Sequence, residues 1–257
     1  MTRQDAPELR ISEGDRWYID NHFRAQMRTS GRRRIIENRW QIFRSMIDSW
    51  LAARGDGRTF TLLDAGCGDG LNLVGLRQMA RSAGWAMRMS AVDYNPLRLG
   101  RAHNHAPEIP LQQASLYALP YRSNSVDVVL CSHVLEHVPN LGAALTEFAR
   151  VLKSGGLLIV GVPNEGCAMA RVRNRILQPA IGKTTDHVHF FTESALLATL
   201  AVSGFRVRSI ERETFFFPIS YINMLCAEFA LGHRVMSLLR TWFPSQAGGL
   251  ITALQNG

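Results

Sequence analysis

Thr61-Leu62-Leu63-Asp64-Ala65-Gly66-Cys67-Gly68-Asp69-Gly70 is a short apolar run that meets an acid and then three glycines spaced two apart. The apolar part reads as a buried strand. Glycines directly behind it allow a sharp turn, because a residue without Cβ adopts positive φ without a clash. A loop of this kind, at the carboxyl end of a parallel strand and ahead of a helix, is where open α/β sheets receive nucleotide-like ligands. A dinucleotide site would ask for G-x-G-x-x-G. Here the third glycine comes one residue early and Leu71 holds the required position. A glycine turn without any ligand is the other reading that the loop alone leaves open.

The chain downstream narrows the choice. Met89-Ser90-Ala91-Val92-Asp93-Tyr94-Asn95-Pro96 is a second apolar run closing on an acid, about twenty-five residues after the glycines. A carboxylate at such a strand end can take both hydroxyls of a ribose, and it can also cap the turn into Asn95-Pro96. Tyr94 can lie along an adenine or pack. Gln113 to Tyr121 contains Leu119-Pro120 and leads into Ser125-Val126-Asp127-Val128-Val129-Leu130-Cys131, a β-branched run suited to a buried parallel strand. Cys131 to Val138 is expected to follow that strand as a turn. Leu141 to Lys153 has helical spacing, with Gly155 and Gly156 expected at its C-cap, and Leu157 to Asn164 reads as a fifth strand.

D-x-G-x-G-x-G at 64–70, the acid at Asp93, V-L-E-H-V at 134–138 and R-V-L-K-x-G-G-x-L at 150–158 stand in an order that resembles the class I S-adenosylmethionine-dependent methyltransferases of the small-molecule type. The resemblance runs from about Phe60 to Ile210. It implies S-adenosyl-L-methionine as cofactor and S-adenosyl-L-homocysteine as product. Asp64, Gly66, Cys67, Gly68 and Gly70 would hold the methionine part, and Asp93 and Tyr94 the nucleoside. Ser115 and Leu116 would hold the adenine, with Ser115 standing where an aspartate is usual. Backbone at Cys131 or Ser132 would meet the methionine amino group. The implied fold is α/β: a doubly wound, seven-stranded, mainly parallel Rossmann-like sheet. Its last strand is antiparallel, with Gly249 to Leu254 the best candidate.

The expected organisation is a helical cap over residues 1–58, a cofactor-binding core over 59–213, a hydrophobic helical insertion over 214–246 and the last strand within 247–257. Trp17 to Leu51 carries an amphipathic pattern with Ile35, Ile36, Trp40, Phe43, Ile47 and Leu51 on one side. Phe215-Phe216-Phe217-Pro218 opens the insertion, which reads as a lid or a dimer surface. Its uncharged stretch, 214–227, is too short to span a bilayer.

For catalysis, Asp186 to Glu193 resembles the H-x-x-x-F-T loop of relatives that act on small molecules, and Thr192 is a good N-cap for a helix to Ser203. His187 or His189 could deprotonate an acceptor hydroxyl, or tie the loop to the sheet, and His137 could touch the acceptor. These histidines favour transfer to oxygen over nitrogen or carbon. His133 and His137 would need a third ligand to hold a metal, so none is assigned.

Charge bears on the acceptor. The chain has 29 basic against 21 acidic residues, a net +8. Lysine occurs only at Lys153 and Lys183, so the excess is arginine, crowded at Arg24, Arg28, Arg32, Arg33, Arg34 and Arg39 and again at Arg171, Arg173 and Arg175. Arginine forks suit an anionic small-molecule or lipid- or glycan-linked acceptor, and peripheral contact with an anionic membrane. Nucleic acid is disfavoured, because no binding module accompanies the charge. An RNA methyltransferase and a non-catalytic module of the same fold are the alternatives. Four cysteines without metal spacing, and no apolar N-terminal segment, read as reduced thiols in a cytoplasmic protein.

Overall fold

The structure is a computed structural model and describes residues 21–55, 57, 59–177 and 187–257. The apolar run before the glycines is β1 (Thr59–Ala65), and α3 (Leu71–Ala83) starts on Gly70. The second run is β2 (Ala86–Asp93), from which Asn95 caps α4 (Pro96–His105) by accepting from the Leu97 and Arg98 amides. β3 (Leu111–Gln113) and β4 (Val126–Ser132) follow, then α5 (Leu141–Val151) and β5 (Leu152–Pro163). The remainder of the core is α7 (Glu193–Val202), β6 (Arg206–Arg212) and β7 (Gly249–Gln255), with the short α6 (Ala168–Val172) between β5 and α7. The seven strands stand in the order β3-β2-β1-β4-β5-β7-β6. All neighbours are parallel except β7, which is antiparallel to β5 and β6, as expected for 249–254. Strand order reverses between β1 and β4, so their carboxyl ends flank the crevice where such sheets bind ligands.

Alternation along the strands splits the core in two. Leu63, Val129, Leu158 and Leu254 pack under α5 and α7. Leu62, Val128, Ile159 and Ile251 pack under α3 and the long α2 (Ser30–Arg54), whose Ile36, Trp40, Phe43, Ile47 and Leu51 are buried as the amphipathic pattern predicts, with Ile35 at its edge. Trp40 lies so close to α3 that a Cβ on Gly75 would come within 2.2 Å of its ring. Ahead of α2 is a short helix, α1 (His22–Met27). Segment 214–246 holds α8 (Ser220–Glu228) and α9 (Ala230–Trp242).

Two sequence expectations need correction. The helix expected to run to Lys153 stops at Val151, and its Gly155-Gly156 pair is no helix cap. Those glycines belong to an irregular start of β5. Gly155 takes φ +73°, and a Cβ on Gly156 would sit 2.8 Å from the Lys153 carbonyl. Cys131 and Ser132 lie within β4 rather than beyond it, paired with Val160 and Gly161 of β5. Trp17, Tyr18, Lys183 and Asp186 fall outside the described residues.

Candidate active site

The glycine loop is held from behind by backbone. Gly66, Gly68 and Gly70 have φ of +89°, +54° and +85°, the left-handed region where a side chain is strained. The Gly66 and Cys67 amides donate to the Val92 carbonyl at 2.8 and 3.0 Å, which pins the loop to the end of β2. Asp93 completes the clasp: Oδ2 accepts from the Gly68 amide at 2.8 Å and Oδ1 from the Asn95 amide at 2.9 Å. The carboxylate therefore caps the turn, at the end of β2 beside the glycine loop. Burial pushes its pKa up, and the two amides and Arg98 pull against that.

Asp64 sits at the foot of the loop, fully buried, and neither carboxylate oxygen has a hydrogen-bond partner. Burial, and next the negative charge of Asp93, push its pKa up to about 8. Ser132 Oγ at the end of β4 is likewise buried and unpartnered. A buried acceptor of this kind is costly unless a ligand donor reaches it. The Cys67 and Cys131 thiols are buried among apolar neighbours, and burial pushes their pKa values far up, so both stay protonated. Ser115 Oγ accepts from the Tyr117 amide at 3.2 Å and shapes the turn beyond β3, with Leu116 half-buried beside it. The Tyr94 carbonyl is tied to Gln113 Nε2 at 3.0 Å.

Asp69, which sequence reasoning passed over as a spacer between glycines, turns out to be a hub. Its carboxylate is almost fully buried and Oδ2 accepts from the amides of His22 at 2.6 Å and Phe23 at 3.3 Å, so it caps α1 and draws that helix over the loop. Arg98 and Arg101 approach Oδ1 at 3.3 and 3.7 Å. Arg98 then lies across the loop, where a Cβ on Gly68 would come within 2.3 Å of its guanidinium. Burial first, and Arg98 second, lower the His22 pKa to about 4, so the latched histidine is neutral at neutral pH. The helical periodicity of the N-terminal segment was visible in sequence; its fastening to Asp69 was not.

At the other side of the cleft, the turn after β4 carries the histidines. His133 adopts φ +56° and its amide donates to Gly161 at 2.7 Å. Its ring stands between Glu136 Oε1 at 3.5 Å and Glu213 Oε2 at 3.8 Å. Burial and Arg39 oppose its protonation, yet the two carboxylates prevail and hold its pKa above the ordinary value. Glu213, at the end of β6, forms a buried ion pair with Arg39 of α2, and Arg39 and His133 outweigh burial to hold its carboxyl far below the usual range.

The Glu136 carbonyl accepts from the Val188 and His189 amides at 2.8 and 3.1 Å, which brings His187 beside His137 with ring centroids 4.8 Å apart. Ligand atoms of Glu136, His137 and His187 all lie within 4.8 Å of one another, and Glu165 Oε1 faces His187 Nδ1 at 3.8 Å. The two sequence candidates on this loop thus part company. His189 Nε2 is engaged with the Val138 carbonyl at 3.0 Å and ties the loop down, whereas His187 joins the polar cluster. Glu136 was visible in the sequence beside His133 and His137, as a candidate metal ligand. Glu165 and Glu213 are the members that sequence reasoning missed, and they carry no local signal.

The comparisons agree with this architecture. Residues 63–160 match the methyltransferase domain family. A Mycobacterium tuberculosis protein carrying the name S-adenosylmethionine-dependent methyltransferase is 35% identical over 129 residues, 50% of this chain and 44% of the relative. One from Mycolicibacterium smegmatis is 28% identical over 192 residues, 73% of this chain and 69% of the relative. The chain thus spans under half of the former. Among solved structures, a chain of the complex between the Haloferax volcanii Trm112 methyltransferase activator and a methyltransferase aligns with TM-score 0.62 at 18% identity, covering 93% of this chain and 96% of that one. At that identity the likeness speaks for the fold alone. Residues 63–160 thus form a methyltransferase domain, with a strand order and motifs that resemble the class I S-adenosylmethionine-dependent type. The cofactor in the names of those relatives is S-adenosylmethionine, and the residues present fit it: an orphaned carboxyl at Asp64 for a cationic amino group, an orphaned hydroxyl at Ser132, and a bare glycine backbone for close approach.

Proposed function

We propose that this chain transfers a methyl group from S-adenosylmethionine to an oxygen of a small-molecule or lipid- or glycan-linked acceptor bearing negative charge. The bound sulfonium supplies an electrophilic methyl group, so the protein's work is to align, desolvate and remove a proton. Asp93 fixes the nucleoside end, and the glycine loop, Asp64 and Ser132 receive the methionine end. His187, faced by Glu165 and grouped with His137 and Glu136, is the base we assign. A carboxylate behind an imidazole orients the ring and supports the charge it gains. The observation that carries the reading is this pairing of a histidine cluster at the end of β4 with the glycine loop across the same crevice. Arg171 and Arg175, exposed just beyond β5, suit an anionic acceptor group. A relative named ubiquinone biosynthesis O-methyltransferase, from Xanthomonas oryzae, is 31% identical over 157 residues, 58% of this chain and 63% of its own length, and supports oxygen as the acceptor atom.

Calorimetric titration with S-adenosylhomocysteine tests the first half. Asp93→Ala should weaken binding by at least about tenfold, ~1.4 kcal/mol. A folded wild type that gives no heat would sink the reading. With an acceptor in hand, His187→Asn should lower kcat and leave cofactor affinity alone, and His189→Asn should act on stability instead.

A further inference from the structure

The two helices of the insertion turn their apolar residues outward. Along α9, Leu231, Val235, Leu238 and Trp242 fall at i, i+4, i+7 and i+11 and therefore share one face. All four are exposed, Leu231 at 73% and Trp242 at 72%. α8 does the same with Tyr221 and Leu225, and Phe229 at the junction continues the patch at 61% exposure. The other side of the hairpin sends Ala227 and Met236 into the protein. Contiguous apolar surface on this scale marks a contact with something outside the molecule.

Charge distinguishes what that something is. Arg234 lies within the apolar stripe of α9, one turn from Leu231 and from Leu238, and is exposed. Arg28 and Arg33, also exposed, flank the start of α2, and that segment is fastened to the end of α8. Arg34 Nη1 donates to the Ala227 carbonyl at 3.1 Å, and Ser30 Oγ and the Gly31 amide donate to the Glu228 carboxylate. Glu228 is the one acid in residues 214–246, and these donors occupy it. A two-fold interface between copies of the chain would bring this basic, apolar face against itself. A layer of anionic headgroups over acyl chains instead accepts both the arginines and the apolar side chains, and the aromatic rings of Tyr221, Phe229 and Trp242 are the kind that settle at that boundary. Among the described residues no helix is long and apolar enough to cross a membrane, so the contact is one of lying on the surface.

We propose that α8 and α9, together with Arg28, Arg33 and Arg234, form a docking surface for an anionic lipid bilayer. The inference stands on this face alone and does not depend on the methyl-transfer reading. The insertion starts directly after Glu213, whose carboxylate pairs with Arg39 and faces His133.

Flotation with vesicles tests it, using phosphatidylcholine alone and phosphatidylcholine mixed with phosphatidylglycerol. The wild type should float with the anionic vesicles and stay behind with the neutral ones, less so as salt is raised. Leu238→Glu with Trp242→Ser should reduce flotation by about tenfold or more, and Arg28→Glu with Arg33→Glu should do likewise. Because all four positions are exposed, both variants should keep the wild-type melting temperature and circular dichroism. Absence of flotation with anionic vesicles overturns the proposal. So does flotation that the variants leave unchanged, or a wild-type dimer in sedimentation velocity that Leu238→Glu with Trp242→Ser dissociates while vesicles go unbound.

Discussion

The two sides of the cleft are fastened by different means. On the side proposed for the cofactor, amides of Gly66, Cys67 and Gly68 meet the end of β2, partners some twenty-five residues apart joined by adjacent parallel strands. On the side proposed for the acceptor, ionisable side chains from α2, the turn after β4, and the residue after β6 meet in a chain from Arg39 through Glu213 to His133 and Glu136. A backbone-held site is sensitive to whatever alters φ or adds volume. One held by charge is sensitive to the loss of a single partner, because the other is then buried alone.

The largest effect should therefore come from the acceptor side. Glu213→Gln leaves the partly buried Arg39, its side chain 14% exposed, without its carboxylate and should cost up to about 3 kcal/mol in urea unfolding. Replacing both, Arg39→Met with Glu213→Leu, should recover most of that, since an apolar pair carries no desolvation debt. A single-variant loss of only a few tenths would show that this side is not held by charge. Next is Gly66→Ala on the cofactor side. It combines the left-handed conformation, about 1–2 kcal/mol, with a Cβ that would meet Val134 Cγ2 at 2.5 Å. Adding Val134→Ala should relieve the second part and leave the first. Full rescue by Val134→Ala would mean that backbone conformation does not limit the loop.

This difference also explains what could be read from the sequence. The succession of strands along the chain, the glycine loop, Asp93 and the Thr192 cap rest on local patterns: an apolar run before glycines, an acid at a strand end, a hydroxyl one residue before a helix. Those patterns are written contiguously, so they were legible. Glu213 and Glu165 are single acids whose partners lie far along the chain, 174 residues away for Arg39 and Glu213, and no window of sequence holds both ends of such a pair. Asp69 was hidden for another reason. Its neighbours on either side are glycines, and the motif drew attention to the turn rather than to the residue that the turn presents. The Gly155-Gly156 pair misled for a related cause, because positive φ serves a helix end and an irregular strand start alike.

A smaller effect concerns Asp64. With a pKa raised to about 8, its carboxyl is mostly protonated at neutral pH. The folded state then holds a proton that the unfolded chain loses above the ordinary aspartate value of 3.8, so this group lowers stability progressively as pH rises from there to about 8. A cationic amino group arriving beside it would favour the ionised form and expel the proton. Titration with S-adenosylhomocysteine at pH 7 in buffers of different ionisation enthalpy should thus show release of close to one proton per site. The release should shrink above pH 8 and vanish in Asp64→Asn. Equal heats in all buffers would mean that Asp64 does not face the ligand's charge.

The smallest effect, and the one that sets the two sides against each other most directly, is the response to mild acid. His22 in the latched α1 has its pKa lowered from 6.5 to about 4, chiefly by burial. Once α1 lifts, the ring regains its ordinary affinity for protons, so between pH 6.5 and about 4 the open form binds more of them. The latch should weaken across that window as pH falls and level off below it. His133 runs the other way: its pKa is raised in the folded state, so its contribution is fully present below the ordinary value and is lost as pH climbs through the raised one. Lowering the pH from 7 to 5 should therefore loosen α1 over the glycine loop while the His133 link to Glu136 and Glu213 holds. Hydrogen exchange, corrected for the intrinsic effect of pH, should show less protection at residues 22–27 and none lost around Leu135–His137. His22→Gln should remove the change in α1 without touching the rest. Protection falling together at both places would mean that one cooperative opening governs the cleft and that its two sides are not fastened independently.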